Sequence, residues 1–214
     1  MGGVTLAVFD FDGTLIRGDS ITAYLRFARQ RGFVTFSELA AAGWAAVRFR
    51  LGLTDAANAK TIALRFRKRA DSPQLDALDE AFARQLLARV YPDGLARIAA
   101  CRAQGDRIIL LSASTINYMR FVAAGLQADH LICSGLDAQG RVFPNVRGEE
   151  KVQQLKSYIS SLPEPPDLQA SSAYGDSASD IPLLELTGHP YLVNPGRKAL
   201  KKAQGRIPVL TWRK

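Results

Sequence analysis

Cysteine and histidine are scarce. Only Cys101 and Cys133, and only His130 and His189, occur in the 214 residues. The two cysteines lie far apart in apolar surroundings and suggest neither a disulfide framework nor a ligand pair, so a reduced, cytoplasmic setting is expected. The histidines fit no ligand spacing and read as structural or exposed. Long apolar runs are missing as well. Val4 to Phe9 is only a strand's length, ends on Asp10 and has no basic segment before it. It is therefore neither a signal sequence nor a span of the ~20 residues a membrane helix needs, and no membrane partner is expected. Internal repeats and low-complexity tracts are absent too, and no segment is polar enough to imply long disorder.

What is present is enough apolar residue, 47%, for one full core and a modest second one. The unusual bulk property is a formal charge of +8, which would attract a nucleic acid, a membrane surface or a small anion without choosing among them. Much of the excess falls between Arg17 and Arg89, at Arg26, Arg29, Arg31, Arg48, Arg50 and the cluster Arg65, Arg67, Lys68, Arg69. On helices most of these would be solvated faces.

Val4 to Phe9 reads as a buried strand followed by the turn Asp12-Gly13-Thr14. From about Asp19 to Val90 the periodicity is helical throughout: a run containing Ile21, Tyr24, Leu25 and Ala28, then Phe36–Phe49, Asp55–Phe66 and Leu75–Val90. After Pro92, strand and helix alternate. Helices are expected at Asp93–Gln104, Thr115–Leu126, Glu149–Ser160, Ser179–Leu186 and from Lys198, with strands at Ile108–Leu111, Leu131–Ser134, Ser172–Tyr174, Tyr191–Val193 and Pro208–Trp212. A hairpin or loop is expected around Asp137 to Gly140, and a proline-rich link at Pro163 to Pro166.

Such alternation predicts an α/β fold, a doubly wound parallel sheet with right-handed crossovers. A helical insert follows its first strand. We expect residues 1–16 and 92–214 to form the Rossmann-like core and residues 17–91 a helical cap. Ligands of such sheets bind beyond the carboxyl ends of the strands, where Asp10 with Asp12, Ser112 and Asp176 all fall. The spacing of Asp10 and Asp12 in an extended segment would point both carboxylates into one small space. Like charges so placed need a cation or a shared proton, which suits one as nucleophile and the other as proton donor. Asp176 would add oxygen for a hard cation such as Mg2+.

DFDGTL at Asp10–Leu15, Ser112 after IILL, Lys151 in GEEK and GDSASD at Gly175–Asp180 resemble the four motifs of the haloacid dehalogenase superfamily, in particular its phosphoserine-phosphatase-like branch, subfamily IB. An accidental DxDGT in a chain this long has odds on the order of one in a thousand. The resemblance implies a phosphatase that hydrolyses a small phosphomonoester through an aspartyl phosphate. It implies Asp10 as nucleophile and Mg2+ ligand, and Asp12 as acid and base with its backbone carbonyl on the metal. Asp176 would be the third protein ligand, with Asp180 supporting the metal site. Ser112, Ala113 and Lys151 would hold the phosphoryl group. Ala113 stands where phosphoserine phosphatases usually have Gly, and Ser179 where many relatives have Asn or Asp. Asp19 falls where phosphoserine phosphatases place an amine-binding glutamate, and with Arg48 and Arg50 it is a candidate for contact with the leaving group. Phosphoserine and histidinol phosphate are candidate substrates by resemblance. A phosphomutase, or a basic module binding nucleic acid or an anionic surface on a retained phosphatase fold, is the alternative; nucleic acid is the less expected partner.

Overall fold

The computed structural model describes residues 3–137 and 139–213. Six parallel strands form one sheet in the order β3-β2-β1-β4-β5-β6. They are β1 Leu6–Phe9, β2 Arg107–Thr115, β3 His130–Ser134, β4 Ser172–Gly175, β5 His189–Val193 and β6 Val209–Leu210. All four residues of β1 are buried, because a central parallel strand is covered on both faces and must be apolar throughout. Leu6 and Val8 pack on one side with Ile109, Leu111 and Leu155. Ala7 and Phe9 pack on the other with Ile108, Leu110 and Tyr174. The sheet reverses direction of growth at β1, so the crevice beyond β1 and β4 is its topological switch point.

Between β1 and the second strand lie α1 Ser20–Gln30, α2 Phe36–Arg50, α3 Ala56–Leu64 and α4 Ser72–Leu87, then α5 Pro92–Ala103. The starts of the first four are written in the sequence. Asp19, Thr35, Asp55 and Asp71 each accept a backbone N–H from the first turn, and Thr35 forms a capping box with Glu38. The remaining helices are α6 Ile116–Gly125, α7 Glu149–Ser160, α8 Ile181–Leu184 and α9 Arg197–Ala203. Among the described residues no helix is long and apolar enough to cross a membrane.

Four elements depart from expectation. The helix expected to reach Phe66 ends at Leu64 and tightens into a 3₁₀ turn, Arg65–Arg69, in which Phe66 is buried and Arg67 pairs with buried Asp79. The helix expected from Ser179 shrinks to α8, because Asp180 turns back onto Ser177 instead of continuing the helix. The strand expected to end at Leu111 runs to Thr115, with a register break after Ser112. The last strand is reduced to β6, which pairs only with β5. Ala138, within the expected loop at Asp137 to Gly140, lies outside the described residues.

The insert does not pack around a core of its own. Tyr24 of α1, Phe82 of α4 and Tyr118 of α6 have ring centroids 5.1 to 5.2 Å apart and belong to the same apolar cluster as Phe9 and Tyr174. Fully buried Asp79 on α4 is tied to both sides. It accepts both guanidinium nitrogens of Arg67, at 2.8 and 2.9 Å, the Tyr24 hydroxyl, and Nδ2 of Asn117 on α6 at 2.8 Å.

Candidate active site

Asp10 follows directly on β1, and its N–H extends the ladder to the Tyr174 carbonyl at 2.9 Å. Asp10 is 4% exposed. One oxygen accepts Nζ of Lys151 at 2.6 Å and the other the hydroxyl of Thr14 at 3.0 Å. Lys151, in the first turn of α7, also donates to Asp180 at 2.7 Å, whose second oxygen accepts the Ser177 hydroxyl at 2.6 Å. Oxygens of Asp10, Asp176 and Asp180 all lie within 4.8 Å of one another. Two glycines make that approach possible. A Cβ on Gly13, at φ +83°, would sit 2.3 Å from an Asp176 oxygen, and one on Gly175 would sit 2.8 Å from Cβ of Asp180.

Burial raises the pKa of Asp10. Lys151 opposes the rise, and the nearby Asp180 and Asp176 add to it. Asp176 is pushed up to about 6 by burial and then by Asp180. For Asp180, burial is overcome by Lys151 and Ser177, so its carboxyl stays below the usual range. One lysine therefore faces three carboxylates, and the group is short of positive charge. All-oxygen donors at this spacing suit a hard divalent cation such as Mg2+.

Asp12 faces the same cavity as Asp10, but its carboxylate is not one of these three. The chain turns immediately after Asp10, with the N–H groups of Leu15 and Ile16 both returning to the Phe11 carbonyl, so residues 10 to 12 are not a continuous strand. The Asp12 carboxylate lines the same cavity but accepts the Ser20 N–H at 2.7 Å, the Ser20 hydroxyl at 3.0 Å and the Ser114 hydroxyl. Tyr118 completes the cluster, its hydroxyl 2.9 Å from that of Ser20. Burial, then the charge of Asp19, pushes Asp12 up to about 6, against the pull of these hydrogen bonds.

These carboxylates line a cavity of about 840 Å³. Ala113 lines it, whereas Ser112 is fully buried beneath and accepts the Ser114 N–H at 3.0 Å. Asp19 lines it while capping α1 through the Thr22 N–H at 2.7 Å. Arg48 and Arg50 do not: both are exposed on the far side of α2, and it is Phe49 between them that faces in. Besides Lys151, the cations at the cavity are Arg17, Lys60 and Arg147. Lys60 reaches from α3 to the sheet, donating to Oδ1 of Asn145 at 2.7 Å and to the Ala113 carbonyl, which also accepts the Ser134 hydroxyl at 2.8 Å. Burial pushes Lys60 down to about 8. Arg147 lies over the Phe49 ring, 5.1 Å from its centroid.

Sequence reasoning missed Lys60, Ser20, Ser114 and Tyr118. One signal was available for Lys60, the sole charged residue of α3 in AANAKTIAL.

A buried carboxylate at the carboxyl end of the central strand, bonded to a lysine and flanked by two further acids from another strand end, defines a class of hydrolases built on this sheet. The chain matches the haloacid dehalogenase-like hydrolases over residues 7–185 and belongs to that family. It is 34% identical over 194 residues to protein CicA of Caulobacter vibrioides, covering 85% of this chain and 82% of that one. It is 24% identical over 211 residues to phosphoserine phosphatase SerB1 of Mycobacterium tuberculosis, covering 94% and 68%. Among solved structures, a protein of unknown function from Bordetella pertussis Tohama I superposes with a TM-score of 0.87 at 24% identity, covering 97% and 98%. A probable phosphoserine phosphatase from Vibrio cholerae superposes at 0.71 and 19% identity, covering 96% and 60%.

Proposed function

We propose that the protein is a Mg2+-dependent phosphatase that hydrolyses a small phosphomonoester through a phosphorylated Asp10. The observation that carries this reading is the buried Asp10 carboxylate, lining the cavity and bonded to Lys151, with two more acids in reach. Asp10 and Asp176, supported by Asp180, would hold the ion. When bound it would offset the negative charge of the carboxylates and of the phosphate.

An Asp10 oxygen attacks phosphorus and forms an acyl phosphate as the ester oxygen departs. Asp12, aimed into the cavity by Ser20 and Ser114, supplies the proton that the leaving oxygen takes. Water then attacks the same phosphorus, Asp12 removes its proton, and Asp10 is regenerated with release of phosphate. A carboxyl near 6 is suited to both duties around neutral pH. Lys151 places a fixed positive charge beside the developing phosphoryl charge.

Residues 17–91 act as the cap over the strand ends, excluding water and contacting the leaving group. Arg17, Lys60 and Arg147 against Asp19 favour a polar or anionic leaving group with room for an amine. Phosphoserine-like and histidinol phosphate-like esters are the first to try, and the phosphatase names borne by relatives support the choice.

Phosphate release from a small aryl phosphate should need Mg2+ and stop in excess chelator, and Asp10→Asn should abolish both turnover and trapping of phosphorylated protein. Near-normal turnover by Asp10→Asn would remove Asp10 as the nucleophile.

A further inference from the structure

Helix α2 turns Leu39 and Phe49 inward but carries its other bulky apolar residues outward, on the wrong side for a helix that only packs the insert. Its inward stripe is Glu38, Ala42, Ala45 and Phe49, spaced four, three and four. Ala42 and Ala45 are its only buried residues. Its outward stripe is Phe36, Ala40, Trp44, Val47 and Leu51, at the same helical spacing. There Phe36 is 76%, Trp44 64% and Leu51 66% exposed. The apolar surface thus runs the length of a 15-residue helix, roughly 22 Å, and Leu53, also exposed, extends it. A contiguous face of this kind marks a docking surface.

Charge indicates what docks. Arg48 and Arg50 flank the stripe, are exposed, and enter no ion pair among the described residues. The one acid of the helix, Glu38, is engaged by Arg69 at 2.6 Å. Residues 17–91 hold thirteen lysines and arginines against seven aspartates and glutamates, so six of the eight net positive charges lie in this insert. A second copy meeting the first through this face would bring like charges together. A nucleic acid would leave the apolar stripe against phosphate. An anionic lipid surface satisfies both halves of the pattern, with apolar side chains entering the headgroup boundary and flanking arginines meeting lipid phosphates.

We propose that the outward face of α2 is a peripheral docking site for an anionic membrane surface. Docking there leaves the chain outside the hydrocarbon core, so it concerns adsorption and not spanning, for which no helix among the described residues is long and apolar enough. It is independent of the proposed phosphatase chemistry, whose residues lie on the other side of the helix. Arg48 and Arg50 thereby gain a role other than contact with the leaving group.

The test is co-sedimentation of the full chain with vesicles of phosphatidylcholine alone or with phosphatidylserine added. Trp44 is a reporter, because the other tryptophan, Trp212, is buried. Binding to the anionic vesicles, a blue shift of Trp44 emission and weakening with added salt are expected. Trp44→Ser with Leu51→Ser, and separately Arg48→Glu with Arg50→Glu, should each lower the vesicle partition coefficient ~10-fold or more. Melting temperature and hydrolysis of a soluble aryl phosphate should stay unchanged. The arginine pair keeps the test open should the apolar pair fold poorly. The proposal is overturned by no binding to the anionic vesicles at low salt, or by binding that both pairs leave intact. It is equally overturned if the stripe supports a dimer or RNA binding but no vesicle binding. Because aryl phosphate hydrolysis is read separately, failure here and failure of the phosphatase reading are distinguishable.

Discussion

Asp12 and Asp10 are the same residue type two positions apart, yet their neighbours give them different work. Asp10 is held against a cation and other acids, while Asp12 is held by hydroxyls and one amide. Ser114 donates to the charged form of Asp12, so Ser114→Ala should raise its pKa and loosen its aim. Turnover of an alkyl phosphate should fall ~10-fold, and Asp12→Asn should cost ~100 to 10,000-fold. Both losses should shrink for a nitrophenyl ester, whose leaving group needs little protonation. Equal losses on the two substrates would exclude a proton-transfer role. Lys60 offers the pH test. Its ammonium is the charged form, and burial has brought it down to about 8, so the cation is present below that pH and lost above it. kcat/KM for a substrate with an anionic leaving group should therefore decline above pH 8, while that for an uncharged aryl phosphate should not. Lys60→Arg, which stays charged, should remove the decline.

At the level of elements, the tie between α4 and α6 is where a single change costs most. Asp79→Ala would leave the Arg67 guanidinium, the Tyr24 hydroxyl and the Asn117 amide without their shared acceptor. Breaking such a buried pair costs about 3 to 5 kcal/mol, or roughly 6 to 20 °C in a chain of this size. Thermal unfolding would register it, and a change within a degree would mean that the network is solvated. The same network explains part of what was hidden from sequence. The four insert helices could be read because caps and periodicity are local signals. That Arg67 would leave the basic cluster to meet an acid twelve residues on, and so shorten a helix, depends on a contact that no local pattern encodes. The separate hydrogen-bond partners of Asp10 and Asp12 were hidden for a related reason: the Phe11 carbonyl gathers three later amides and bends the chain between them.

Over the whole molecule, alternation of strand and helix was enough to predict the parallel sheet and to bring Asp10, Asp12 and Asp176 to one crevice, because strand-end residues of such a sheet converge by topology, whereas Lys151 and Asp180 were reached through the family resemblance. Residues that join the site across the insert were not readable in the same way. Lys60, Ser20, Ser114 and Tyr118 meet it through packing of helices on the sheet. Arg48 and Arg50 were singled out by charge alone, and the helix turned them outward.

The shared apolar cluster also determines how the site can open. α1 and α4 each bury six residues, five of them in the apolar cluster continuous with the sheet, whereas α2 and α3 bury two each. A hinge that swung the entire insert would expose Tyr24, Phe82 and Tyr118 to water at once. The inexpensive motion is a fraying of the α2–α3 hairpin alone, in which Lys60 would release the Ala113 carbonyl and Asn145. Local unfolding free energies should be graded to match. In native-state amide exchange, α2 and α3 should lose their protons well before α1 and α4, and occupancy of the cavity by a phosphate analogue should slow the first pair selectively. Uniform protection across all four helices would mean that the insert moves as one body.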